Sequence, residues 1–141
     1  MVAKPPATKP VRATPEDREI NRKRILRSLD TSADRIERVI TAARKRRQIQ
    51  RDAGDNIGAA ASLNLIDRAR RVENTILRTK IRVIDNSDEV KKLIGKFKAV
   101  NKDLKAASEE LTSLANDLKS VAKLIGVLEK IIAKVATTGI A

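Results

Sequence analysis

One pattern constrains this chain more than any other, an apolar repeat that runs from Leu93 to Val135. Its intervals alternate between four and three residues without a miss. The repeat consists of Leu93, Phe97, Val100, Leu104, Ala107, Leu111, Leu114, Leu118, Val121, Ile125, Leu128, Ile132 and Val135. Such spacing places every one of these side chains on one seam of a left-handed supercoiled helix. The repeat therefore predicts one long, coiled-coil-like helix over about 87–137.

Two shorter helices are predicted before it. Thr14 can cap a helix whose first residue is Pro15, and the apolar spacing that follows predicts a helix over 15–52 that stops at Gly54. A narrower apolar stripe, mixed with arginine, predicts a second helix over about 58–85. Asn86 is then the expected cap of the long helix. Residues 1–13 have no apolar period, and we expect them to form a disordered cationic tail.

The composition indicates the kind of core that these helices share. The chain has no Trp, Tyr, Cys or His and a single Phe, so its core must be built from Leu, Ile, Val and Ala. Aliphatic side chains of this size suit helices packed on helices, whereas strands favour aromatic and β-branched residues. We therefore predict an all-α fold, an elongated three-helix bundle or helical hairpin, with residues 14–141 as a single helical domain.

Helix lengths indicate where a partner would bind. At 1.5 Å per residue the long helix measures about 70–75 Å and the second helix only about 40 Å, so residues 116–137 have no obvious intramolecular cover. The apolar stripe also widens there. We expect this end to bind a second copy of the chain or a helical partner protein. The predicted interface consists of Leu118, Val121, Leu124, Ile125, Leu128, Ile131, Ile132 and Val135.

An anionic membrane surface is an alternative partner for the same segment. Residues 119–136 form a cationic amphipathic pattern in which Lys119, Lys123, Lys130 and Lys134 lie mostly opposite the apolar face. The segment lacks the Trp or Tyr that commonly anchors such helices at an interface.

Nucleic acid is the third candidate partner, because the net charge is +13 and every arginine lies within residues 1–86. The predicted anionic-partner patch consists of Arg44, Lys45, Arg46, Arg47, Arg51, Arg68, Arg70 and Arg71. A further basic cluster contains Arg22, Lys23, Arg24 and Arg27. No aromatic residue lies near these clusters to stack on bases, so such binding would be independent of sequence and steeply salt-dependent.

Catalysis is not expected. Without His or Cys, general-base and metal chemistry would rest on carboxylates and lysines alone, and the acids accompany Lys or Arg at solvated helix positions. No Gly-rich phosphate loop is present. We therefore expect no enzyme activity, cofactor, metal or small-molecule substrate. The sequence shows no secretory signal and no apolar stretch long enough to span a bilayer, so we expect a cytoplasmic protein, with signal-less export left open.

Overall fold

A computed structural model of the chain describes residues 14–79, 87–114 and 118–138. These residues form four α-helices and a short 3₁₀ turn. The elements are α1 (Pro15–Asp52), α2 (Asn56–Arg78), α3 (Ser87–Glu110), the 3₁₀ turn (Leu111–Ser113) and α4 (Leu118–Thr138). No strand occurs in these ranges. The predicted all-α bundle is confirmed, while the predicted tail at 1–13 lies outside the described residues.

Helix α1 begins and ends where the sequence predicts. The Thr14 hydroxyl accepts from the amide of Asp17, and the Asp17 carboxylate accepts from the amide of Thr14, which together make a capping box in front of Pro15. The far end stops at Asp52, and Gly54 has a φ of 76°, a conformation that costs glycine little. Local side-chain chemistry therefore accounts for both ends of this helix.

Helix α2 starts immediately after that turn and is shorter than predicted. Asp55 caps it by accepting from the amide of Gly58 at 2.9 Å. The helix ends at Arg78, because Thr79 takes an extended conformation with φ −69° and ψ 115°. The prediction of a helix continuing to 85 is wrong for Thr79, and residues 80–86, including the predicted cap Asn86, lie outside the described residues.

The long third helix is the main correction. The helical run that begins at Ser87 ends at Glu110, and α4 begins only at Leu118. Leu111 to Ser113 form a single 3₁₀ turn, and Leu114 follows in the left-handed region with a φ of 61°. The apolar repeat predicted helical periodicity on both sides of this break correctly. The prediction of one continuous helix is wrong. The apolar spacing could not reveal the break, because the spacing is the same when the chain reverses and the seam stays buried on both sides.

Side-chain contacts establish how the helices are arranged. The three-residue turn returns α2 antiparallel to α1. Ser32 of α1 contacts Asn101 of α3, and Arg46 contacts Leu111 further along, so α1 and α3 run in the same direction. Helix α4 returns along α3 and packs beside α2. The bundle therefore consists of two antiparallel hairpins lying side by side, with α1 on α3 and α2 on α4.

The core is a single aliphatic cluster that draws on all four helices. Its most enclosed side chains include Ile25 and Ile36 of α1, and Phe97 and Leu104 of α3. Helix α4 contributes its whole apolar stripe to the same cluster. Because the chain has no other aromatic residue, packing in this core depends on interdigitated aliphatic side chains.

Candidate anion-binding groove

The apolar end of the predicted long helix lies inside the bundle. Six of the eight predicted interface residues are buried, namely Val121, Ile125, Leu128, Ile131, Ile132 and Val135, and Leu118 and Leu124 are partly buried against the same core. The premise of the predicted interface, a helix end without intramolecular cover, is therefore not met, because the chain reversal after Leu111 gives α4 the cover of α2 and α3. Contact of these residues with a second chain or a membrane stays a prediction, and it requires α4 to leave this position.

Part of the predicted interface on α4 remains accessible in a shallow apolar groove between α3 and α4. Val100 and Leu124 form part of its floor together with Val127, whose side chain is 43% exposed. Lys96 and Lys130 stand at its edges. The groove is small, because most of the apolar area of α4 faces the core.

The predicted anionic-partner patch is divided among different parts of the fold. Arg46 is buried and donates through Nη1 to the carbonyl of Leu111 at 3.2 Å, so it serves the bundle interior. Arg47 is partly buried, whereas Arg44, Arg51 and Arg70 are exposed.

The other members of the predicted patch line two separate surface depressions. Lys45 lines one of them together with acidic side chains of α1 and α3. Arg68 and Arg71 line another between α2 and α4, where Arg68 Nε lies 3.0 Å from Glu129 Oε1. The structure therefore does not gather the eight residues into one site.

A different set of cations is brought together in the groove between α1 and α3. This groove, which we call the cationic groove, has a volume of about 530 Å³. Its cations are Arg24, Arg27 and Arg35 from α1 and Lys98, Lys102 and Lys105 from α3. No acidic side chain from the described part of the chain lines it; the remaining lining residues there are Ser28, Thr31, Ile94 and Asn101. Two rows of positive charge therefore face each other across a concave surface.

Helical spacing explains why the two rows face the same groove. Lys98, Lys102 and Lys105 are separated by four and three residues, which places them on one face of α3. Arg24 and Arg35 are eleven residues apart, which is three helical turns. Because α1 and α3 are parallel and adjacent, these two faces border the same groove over a length of about 16 Å.

The charges of the groove are largely uncompensated by the protein itself. Arg35 Nη1 pairs with Asp34 at 3.0 Å, and the same carboxylate accepts from Arg38 Nε at 3.3 Å. The five other cations of the groove form no ion pair with any residue in the described ranges. Arg35 Nε is also buried without a hydrogen-bond partner there. Like charges gathered without counter-charges repel one another, so an anion bound between them would relieve that repulsion.

A buried hydrogen bond fixes the relative position of the two walls. Ser32 Oγ donates to Asn101 Oδ1 at 2.8 Å, and both side chains are buried between α1 and α3. A buried polar pair of this kind favours one register of the two helices, because another register would take this partner away from the buried Asn101 side chain. The groove is therefore formed before any ligand binds.

Sequence reasoning identified half of this groove and missed the other half. The cluster that contains Arg24 and Arg27 was evident as a run of basic residues. Lys98, Lys102 and Lys105 carried a usable signal, since their spacing defines one helix face, but nothing in the sequence indicated that this face borders α1. That adjacency depends on the parallel packing of α1 and α3.

Neither a protein-family model, nor a curated protein, nor a solved structure matches this chain. Within the described ranges, none of the helices combines the length and the hydropathy that crossing a membrane requires. A proposal for the function therefore depends on the surface geometry and the charge of the described helices.

Proposed function

We propose that this protein is a non-enzymatic binding protein that holds the phosphate backbone of nucleic acid in the cationic groove between α1 and α3. The observation that carries the proposal is the convergence of six cationic side chains on a groove that no acidic side chain lines. Arginine and lysine are the residues that proteins use for phosphate contacts, arginine through its planar fork and lysine as a point charge.

The dimensions of the groove suit a nucleic-acid strand. One strand of a duplex places a phosphate about every 3.4 Å along the axis while it winds around that axis, so a straight groove of about 16 Å faces fewer than five phosphates. The six cations of the groove therefore supply at least one positive charge for each phosphate that they face.

The groove favours nucleic acid over a lipid surface. A helix that lies in a membrane interface buries an apolar face among the acyl chains. Among the described residues that line the cationic groove, Ile94 is the one large apolar side chain, and it is itself buried. A concave, polar and cationic surface is suited to a charged strand and not to insertion into a bilayer.

Binding of this kind is independent of base sequence. The single aromatic residue, Phe97, is fully buried, so no aromatic side chain of the described helices can stack on a base. Phosphate contacts position a nucleic acid without reading its sequence. We therefore expect duplexes of unrelated sequence to bind with similar affinity and with the same steep dependence on salt.

The experiment compares two triple variants that have equal net charge. K98Q/K102Q/K105Q removes one wall of the cationic groove, and K92Q/K123Q/K130Q removes three exposed lysines elsewhere on α3 and α4. Fluorescence anisotropy with two unrelated duplexes, over a range of salt, should show the groove variant binding about 10- to 100-fold more weakly. The slope of log affinity against log salt should flatten by about 2–3. The control should stay close to the unmodified chain.

Two outcomes would contradict the proposal. If both triple variants lose affinity equally, net charge and not the groove is responsible for binding. If the unmodified chain binds vesicles of phosphatidylserine and phosphatidylcholine at salt concentrations that prevent duplex binding, the membrane alternative is favoured.

A further inference from the structure

The break between α3 and α4 is made without the glycine that most often ends a helix. The sequence has no glycine or proline between Gly95 and Gly126. Helices commonly end at a glycine in the left-handed conformation, because other residues are strained there. Here that conformation falls on Leu114, with a φ of 61°. A strained leucine therefore occupies the point at which the structure reverses the chain.

The apolar seam continues across the break in unbroken phase. Leu111, Leu114 and Leu118 keep the intervals of three and four residues that hold on both sides. In the monomeric bundle, which we call the closed state, the Leu114 side chain is 43% exposed. This position of the seam therefore does not contribute to the core. In a continuous helix the same side chain would lie on the seam. A connection that served only to reverse the chain would have no need to preserve this phase.

An arginine from another helix holds the break in place. The carbonyl of Leu111 accepts from Arg46 Nη1 at 3.2 Å, and Arg46 is only 7% exposed. In a continuous α-helix this carbonyl would instead accept from the amide four residues later in the chain. Arg46 thus replaces a helical hydrogen bond, and its buried Nε has no hydrogen-bond partner among the described residues. Without Arg46 the Leu111 carbonyl would lose this partner in the closed state.

We propose that the chain also forms a dimer by exchanging α4 with a second copy of itself. In this dimer α4 continues in the direction of its own α3 instead of folding back on it. Each α4 then packs on α2 and α3 of the other copy. The space that α4 vacates is bordered by the faces of α2 and α3 that α4 contacts in the monomer, and α4 of an identical copy matches those faces. Every contact of α4 is re-formed, so monomer and dimer differ mainly in the connection between α3 and α4, which we call the hinge. Relief of the strain at Leu114 in this hinge favours exchange.

Salt distinguishes this dimer from the proposed nucleic-acid binding. Each copy carries a net charge of +13, so two copies repel each other, and added salt screens that repulsion. Dimerisation should therefore strengthen as salt rises, whereas binding in the cationic groove weakens. Failure of either proposal leaves the other intact, because binding depends on the facing cations of α1 and α3, whereas exchange depends on the break after α3 and on α4. The two also respond oppositely to salt.

The direct test uses the contact between α2 and α4. Arg68 Nε and Glu129 Oε1 are 3.0 Å apart, and the chain has no native cysteine. R68C and E129C, each as a single variant, are mixed, unfolded and refolded together at millimolar concentration, then treated with a short bis-maleimide. Exchange predicts a cross-linked product of two chains that contains both variants. Each variant refolded alone, and the double variant R68C/E129C at low concentration, are the controls. Cross-links only within the double variant would overturn the proposal.

Two pairs of variants test the hinge by sedimentation equilibrium. L114G accommodates the left-handed conformation and disfavours a continuous helix, whereas L114A does the reverse. Because a dimer contains two hinges, L114G should dimerise about 100-fold more weakly than L114A. R46M should strengthen dimerisation relative to R44M, which removes an exposed arginine instead. Equal dissociation constants for L114G and L114A, or monomers throughout at millimolar concentration, would overturn the proposal whether or not R46M folds.

Discussion

The turn between α1 and α2 and the break between α3 and α4 both reverse the chain, but they do so by different means. At the first, Gly54 adopts a φ of 76°, and the Asp55 carboxylate caps the next helix at Gly58. A side chain at position 58 would collide with the Asp55 carboxylate, so Gly58 leaves the space that this cap needs. At the second, a leucine takes the left-handed conformation, and an arginine from α1 holds the free carbonyl.

This difference separates local from tertiary control of a chain reversal. Residues adjacent in sequence can form the first turn by themselves, because its glycine and its cap belong to it. The second requires α1 to be in place, since Arg46 lies 65 residues before the carbonyl that it holds. Buried apolar area on α4 must therefore compensate for a strained leucine. The first turn should persist when the tertiary structure is weakened, and the second should not.

The largest expected effect comes from weakening the packing of α4. Ile125 is fully buried, and Ile125→Ala should lower the free energy of unfolding by about 3 kcal/mol, because it removes apolar contacts and leaves a cavity. The matched control is Val127→Ala on the same helix, where the side chain is 43% exposed and the cost should stay below about 1 kcal/mol. Urea denaturation measures both. Equal losses would mean that α4 does not depend on core packing for its position.

A smaller effect is expected at the first turn. Gly54→Ala should destabilise the fold by about 1–2 kcal/mol, because alanine is strained at a positive φ. A β-carbon there meets no atom within 4 Å, so no steric clash adds to this cost. Gly95→Ala, at an equally open site inside α3, should instead stabilise by about 1 kcal/mol. If both substitutions shift the thermal midpoint in the same direction, the turn at Gly54 does not require a left-handed residue.

The smallest effect is expected at the break between α3 and α4, where the test is which of two variants is the more stable. Leu114→Gly and Leu114→Ala remove the same apolar side chain, but only glycine adopts a φ of 61° without strain. At concentrations that keep the chain monomeric, the glycine variant should be the more stable of the two by about 1 kcal/mol. Inside a right-handed helix the order would be reversed by a similar amount. Alanine proving more stable than glycine would therefore indicate that the helix is continuous in solution.

The predictable parts of the fold were those that depend on neighbours in sequence. The bounds of α1 follow from Thr14, Pro15 and Gly54, and most of the seam residues of α3 and α4 are buried. The end of α2 was placed too late, because the stripe of Leu65, Ala69, Val72 and Ile76 continued through Thr79 in the sequence although the helix did not. Half of the cationic groove was evident as a basic run near Arg24. The other half required the knowledge that α3 lies beside α1.

By itself the sequence determined that this protein is helical, that its core is aliphatic and which face of each helix is apolar. Those properties follow from side-chain periodicity and from caps, which act over three or four residues. Tertiary structure alone decided that the long seam reverses after Leu111. It also decided that Arg46 is buried and that two rows of cations meet in one groove. The physical reason is burial: a seam of this length exposes less apolar surface when it folds back on α2 and α3 than when it stays straight in a single chain.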